Sequence, residues 1–173
     1  MIERVTIYNR FNMEMFARTE GLNFPYEDKN WSLVSIYTTP EDEFLTEKNI
    51  EALKALGMKE YVSVCFWDIN DTNKAEIDKK HPEAIWFDEQ MGKDIIGTIT
   101  RAEGWDDAVL VAHCDAGVSR SGAVGTFAVE YLGLDYETFI KENPYTVPNP
   151  FVLRTLRKIY GYNNKSAFGE IES

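Results

Sequence analysis

Cysteine occurs only twice in these 173 residues, as Cys65 and Cys114, far apart and within apolar runs. That spacing excludes a disulfide framework and a Cys-x-x-Cys metal site, and makes a reducing cytoplasm the expected setting. Histidine is equally scarce, with two residues, His81 and His113. His113 adjoins Cys114, and no second spaced pair completes a tetrahedral set, so neither zinc nor any other cofactor is expected. His81 precedes Pro82 in a polar stretch and reads as a solvated loop residue. With 6 Pro and 11 Gly the chain is too poor in both for a fibrous or low-complexity protein. No apolar run approaches the length of a membrane span, and Met1-Ile2-Glu3-Arg4-Val5 lacks the apolar core of a signal peptide. Neither export nor anchoring is expected. Positive charge is in deficit: 18 Lys and Arg against 29 Asp and Glu give a net charge of -11. Such a field repels polyphosphate backbones and anionic lipid, so nucleic acid and membrane are not expected partners. A single phosphorylated group escapes this exclusion, because a local cluster of backbone N–H groups and one Arg outweighs a distant, salt-screened surface.

What is present fits one compact domain over 1–173, with 162–173 expected as a flexible tail: 44% of residues are hydrophobic and 27% charged. Three runs rich in Val, Ile and aromatics read as buried strands, Arg4 to Tyr8, Ser32 to Tyr37 and Tyr61 to Phe66. A fourth, Ala108-Val109-Leu110-Val111-Ala112, is continuously apolar and too short for a helix, the mark of a central strand covered on both faces. Helical patterns lie between the strands, Glu43 to Leu56 ending at Gly57 and Phe87 to Arg101 with Met91, Ile95, Ile96 and Ile99 on one stripe. After Arg120 the chain reads helical to Leu132, stops at Gly133, resumes over Asp135 to Lys141, and forms a last helix from about Pro150 to Tyr160. The expectation is an α/β fold with a mostly parallel central sheet flanked by helices and a helical C-terminal half. Asp68 to His81, the longest polar stretch, reads as a loop near the carboxyl ends of the strands, where ligands bind in open α/β sheets.

Cys114 and Arg120 bracket five residues, and the segment runs from a buried strand into a helix that begins at about Ser121. A turn of this kind gathers backbone N–H groups, here those of Asp115, Ala116, Gly117, Val118, Ser119 and Arg120, into a concavity at the positive end of a helix dipole. Phosphate fits such a site. Gly117 supplies backbone freedom within the tight loop, and Arg120 offers a planar fork to two phosphate oxygens that Lys cannot reproduce. The same dipoles and guanidinium favour the thiolate of Cys114, the form that attacks phosphorus. Ser121 stands where its hydroxyl can donate to the departing sulfur, with a helix cap as its plainer role.

The segment His113-Cys114-Asp115-Ala116-Gly117-Val118-Ser119-Arg120-Ser121 resembles the His-Cys-x-x-Gly-x-x-Arg-Ser signature of the cysteine-dependent protein phosphatases, in its dual-specificity version. Trp31-Ser32-Leu33-Val34-Ser35-Ile36, Val64-Cys65-Phe66-Trp67-Asp68 and Pro148-Asn149-Pro150-Phe151-Val152 are similar to segments of small bacterial and phage members. The resemblance implies a phosphatase-like fold and hydrolysis of phosphorylated proteins or peptides, at phosphotyrosine or with dual specificity, through a cysteinyl-phosphate. It implies that Cys114 is the nucleophile, that Arg120 holds phosphate, and that His113 orders the loop and favours the thiolate. It also implies an aspartate on another loop as general acid. Phosphoinositides and RNA triphosphates are not expected, because members that handle such polyanions tend to carry basic residues within the loop, where this chain has Asp115.

Three aspartates compete for the acid role. Asp68 and Asp71 lie 46 and 43 residues before Cys114, just past the Tyr61 to Phe66 strand, whereas Asp88 lies 26 before it, where a helix has begun. Asp68 is the expected acid, because it follows the strand directly, with Asp71 in reserve. Trp67, Trp86 and Phe87 read either as core or as the wall of an aryl pocket, and Cys65 as a small core residue, with a redox partner of Cys114 as the alternative. Two other functions use a similar loop. A sulfurtransferase also cradles an anion around a Cys, but the Cys-to-Arg spacing and Ser121 favour the phosphatase; a non-catalytic phosphate-binding module would not require both Cys114 and Arg120.

Overall fold

A computed structural model describes residues 1–163. Among them four strands form one sheet in the order β1-β4-β2-β3, every pair parallel: β1 (Ile2–Asn9), β2 (Asn30–Tyr37), β3 (Met58–Cys65) and β4 (Ala108–Cys114). β4 is buried along its whole length and pairs with β1 on one side and β2 on the other, as its unbroken apolar run anticipates. The helices are α1 (Arg10–Arg18), α2 (Glu47–Ala55), α3 (Lys74–Lys80), α4 (Glu89–Ala102), α5 (Arg120–Leu132), α6 (Tyr136–Glu142) and α7 (Pro150–Asn163). Among the described residues no helix is long and apolar enough to cross a membrane.

The two-residue alternation of the strands divides the core. Leu110 and Ala112 of β4, with Val34 and Ile36 of β2, pack with Ile95 and Ile99 of α4, Val124 and Phe127 of α5 and Leu156 of α7. Val109, Val111, Trp31 and Leu33 point the other way and pack with Met13 and Phe16 of α1, Leu53 of α2 and Phe44. Cys114 belongs to the first of these clusters. Its neighbour His113 falls in register with Ser35 of β2.

The expected α/β architecture is the one observed, and its departures from expectation are local. α1 was not anticipated; its nine residues bury only Met13 and Phe16, too short a stripe to stand out, and its start is held by the Asn9 side chain, which accepts from the Asn12 N–H. The expected helix from Glu43 starts instead at Glu47, capped by Thr46, because Phe44 and Leu45 turn into the core. Asp88 caps α4 by accepting from the Met91 N–H. The Asp68 to His81 stretch is not all loop, since it contains α3, which buries none of its residues and so leaves no apolar stripe in the sequence. Residues 162 and 163 fall in α7; the rest of the segment expected as a tail, 164–173, lies outside the described residues.

Candidate active site

The loop between β4 and α5 is held through its carbonyl groups. The Asp115 carbonyl accepts from the Arg10 N–H at the start of α1, the Val118 carbonyl from Val147, and the Ser119 carbonyl from Ala123 and Asn149. None of the N–H groups of residues 115–120 donates to a protein acceptor among the described residues. Donors left in this state at the first turn of a helix are the makings of an anion nest. Gly117 makes the turn possible. Its φ of +70° belongs to the left-handed region, and a Cβ there would lie 2.8 Å from the Asn9 nitrogen and 2.9 Å from the Tyr8 carbonyl.

Cys114 ends β4 with its side chain buried, and its Sγ lies 3.1 Å from the Oγ of Ser121, in the first turn of α5. Arg120 is also buried, and three nearby oxygens hold its guanidinium. Nη1 donates to the Phe66 carbonyl at 2.7 Å and to Thr38 Oγ1 at 3.0 Å, and Nη2 to Asp115 Oδ2 at 3.2 Å. Thr38 Oγ1 in turn donates to the same Asp115 oxygen at 2.9 Å, which ties the tip of β2 to both ends of the loop. Asp115 is half-exposed, so its pair with Arg120 has water on one side.

His113 is buried beneath the loop. Its Nε2 lies 2.7 Å from Ser35 Oγ, and its ring meets Phe44 edge to face. Burial drives its pKa down to about 4; the Cys114 backbone opposes this. Nδ1 has no hydrogen-bond partner among the described residues. The ring is therefore neutral at pH 7. It packs beneath the loop against Phe44 and Ser35, and the positive charges that act on it are those of Arg10 and Arg120.

The three aspartates separate cleanly. Asp68 reaches the loop: its Oδ1 accepts from Ser119 Oγ at 2.9 Å and from the buried Asn149 side chain at 2.7 Å. Asp71 points away and pairs with Arg154 at 3.2 Å, both side chains exposed. Asp88 is occupied as the α4 cap. Among the aromatic candidates, Phe87 is core, stacked at a tilt on Phe66, while Trp67 and Trp86 are half-buried beside His81 and Phe151. Cys65 donates to the Thr38 carbonyl at 3.4 Å, and burial pushes its thiol pKa up against the pull of Arg120. β2 lies between β3 and β4, which puts the backbones of Cys65 and Cys114 about two strand spacings, roughly 9.5 Å, apart. A disulfide needs about 7 Å or less. Among the described residues no group of three His, Cys, Asp or Glu is placed to hold a metal ion.

No family model and no curated protein sequence matches the chain. Solved structures do. PTPMT1 in complex with PI(5)P superposes with a TM-score of 0.52 at 12% identity over 95% of this chain and 94% of that one. A variant of human DUSP28 gives 0.50 at 15% identity over 94% and 92%, and a mutant form of Tk-PTP gives 0.50 at 15% over 94% and 93%. The chain has a phosphatase-like fold. At these identities the likeness is one of architecture, and the chemistry has to be argued from this chain's own residues.

Three residues at the site were not singled out from sequence: Thr38, Ser35 and Asn149. Thr38 and Ser35 carry no local signal, since each acts on a residue of another strand or loop. Asn149 had one, an Asn directly before Pro150 at the start of a helix, which is the pattern of a cap.

Proposed function

We propose that the protein is a phosphomonoester hydrolase acting on phosphorylated proteins or peptides, at tyrosine or with dual specificity, through a cysteinyl-phosphate on Cys114. The observation that carries this reading is the buried 3.1 Å contact of Cys114 with Ser121 at the floor of a loop whose N–H groups have no protein acceptor.

The phosphoryl group occupies the nest formed by Asp115, Ala116, Gly117, Val118, Ser119 and Arg120, with its charge met by the Arg120 guanidinium. Exchange of the Asp115 carboxylate for a phosphate oxygen at Nη2 leaves both Nη1 anchors in place. The Cys114 thiolate attacks phosphorus in line with the leaving oxygen; the S–P bond forms as the P–O bond breaks, and the Asp68 carboxyl gives its proton to that oxygen. Water then attacks phosphorus and gives a proton to the Asp68 carboxylate. The P–S bond breaks, inorganic phosphate forms, and the sulfur leaves as a thiolate that accepts from the Ser121 hydroxyl.

Turnover of a phosphotyrosine peptide and of an aryl phosphate by the wild type and by Cys114→Ser tests this. The wild type hydrolyses both and yields a phosphoenzyme on acid quenching; Cys114→Ser does neither. Hydrolysis by Cys114→Ser at a rate near that of the wild type would exclude the covalent route.

A further inference from the structure

Asn149 sits in the segment between α6 and α7 with every polar group of its own engaged. Its N–H donates to the Ser119 carbonyl of the phosphate loop at 2.9 Å. Its Oδ1 accepts from the N–H groups of Phe151 and Val152 and so caps α7. Its Nδ2 donates to Asp68 Oδ1 at 2.7 Å and to the Ile69 carbonyl at 3.0 Å. The residue is buried, whereas Asp68 is exposed. One residue, through its backbone N–H and its side-chain amide, thus joins the loop after Cys114, a helix end and the aspartate.

Both donors to Asp68, Ser119 Oγ and Asn149 Nδ2, fall on the same oxygen, Oδ1. A protonated carboxyl has one O–H and keeps acceptor capacity on its other oxygen. An Oδ1 that already accepts two hydrogen bonds is the poor place for that proton, which leaves it on Oδ2.

We propose that Asn149 is a positioning residue for proton transfer, which, with Ser119, turns Asp68 so that Oδ2 carries the proton to the leaving oxygen and later takes one from water. This rests on the hydrolase reading of the site. The chemistry is proton transfer alone: Oδ2–H to the leaving oxygen as its P–O bond breaks, then water to Oδ2 as the P–S bond breaks.

The test compares a phosphotyrosine peptide, whose leaving group needs a proton, with p-nitrophenyl phosphate, whose leaving group needs it far less. Asn149→Asp keeps an acceptor for the α7 cap and, as the carboxylate that a helix N-terminus favours, has no proton to donate to Asp68; Asn149→Ser keeps a capping oxygen and is too short to reach it. Both variants should lose about ten- to hundred-fold in kcat/KM on the peptide and much less on the activated ester. In an Asp68→Asn background, Asn149→Asp should add little further loss, because the group it positions is gone. Equal loss on both esters, or full additivity with Asp68→Asn, would overturn the assignment of Asn149 while leaving the hydrolase reading intact. A wild type that turns over neither ester would instead refute the hydrolase reading, and this inference with it. If both Asn149 variants fail to fold, Ser119→Ala removes the second donor to Oδ1 without touching the cap. It should show the same dependence on leaving group, and a Ser119→Ala enzyme without it would overturn the placement of the proton on Oδ2.

Discussion

The Cys114 sulfur and the Ser121 hydroxyl, seven residues apart, meet at 3.1 Å inside the protein, the one at the end of a strand and the other in the first turn of the following helix. A hydroxyl there stabilises sulfur when it leaves phosphorus more than when it attacks. Ser121→Ala should therefore slow breakdown of the phosphoenzyme, on the order of ten- to hundred-fold, as loss of one charge-assisted hydrogen bond worth about 1.5–3 kcal/mol implies. Rapid-quench kinetics would show a burst of phenol followed by slow turnover. A variant with normal turnover and no burst would remove Ser121 from the second step.

Arg120→Lys should damage both phosphate binding and turnover. A lysine carries the charge but cannot serve the Phe66 carbonyl and Thr38 while also offering a fork to phosphate. Thr38→Val tests the same anchor from the other side, and should raise KM by more than it changes thermal stability. Isothermal titration with inorganic phosphate or vanadate measures the binding directly; near-normal affinity in Arg120→Lys would contradict the role.

Asp68→Asn should slow hydrolysis of a phosphotyrosine peptide by roughly a hundred-fold to ten-thousand-fold, the usual contribution of positioned acid catalysis, and spare an activated aryl ester. Asp71→Asn breaks only an exposed ion pair with Arg154 and should leave both rates within about twofold, since surface pairs contribute about 0–1 kcal/mol. The leaving-group dependence appearing in Asp71→Asn instead would reverse the assignment.

His113 gives the fold a dependence on pH. The free side chain titrates near 6.5 and the buried one near 4. Between those values the unfolded chain takes up a proton that the folded one refuses, so this contribution is whole above pH 6.5 and is lost as pH falls toward 4. Its size is up to roughly 3 kcal/mol, from about 1.4 kcal/mol for each pKa unit. Urea unfolding at several pH values should show wild-type stability falling through this window with a steeper slope than that of His113→Gln. Parallel slopes would show that His113 titrates normally in the folded protein.

Gly117→Ala should cost more than an ordinary surface substitution. The left-handed φ and the 2.8 Å approach to the Asn9 nitrogen both oppose a Cβ, and the atoms it would meet are backbone. Loss of phosphate affinity with a lowered melting temperature is the expected pair of outcomes. Unchanged melting and turnover would mean that the loop relaxes without cost.

How much of this was legible in the sequence depends on how far apart the cooperating residues lie along the chain. Cys114, Gly117, Arg120 and Ser121 lie within eight consecutive positions, and an apolar strand runs into them, so local pattern alone specified a strand, a tight loop and a helix start with a cysteine and an arginine at the loop's ends. The central place of β4 was equally readable, because a strand covered on both faces has no polar alternation. α1 and α3 were not, since each is short and buries little, and tertiary packing rather than periodicity places them.

The partners of the loop belong to the tertiary structure. Thr38 is 82 residues from Arg120, Ser35 is 78 from His113, and Asn149 is 81 from Asp68. The first two pairs meet because the sheet runs β1-β4-β2-β3 and carries the ends of β2 and β4 to one edge; the third also needs the segment before α7, which Val147 and Asn149 bond to the Val118 and Ser119 carbonyls of the loop. The placement of Asp68 and Asp71 is of the same kind: three residues apart and chemically identical, they are separated by a turn that sends one carboxylate to Ser119 and the other to Arg154. Sequence by itself determined which candidate groups share the loop, because their spacing is a local property of the chain. Only the tertiary structure decided which distant side chains orient them, because a hydrogen bond depends on distance and angle in space and leaves no period in the sequence.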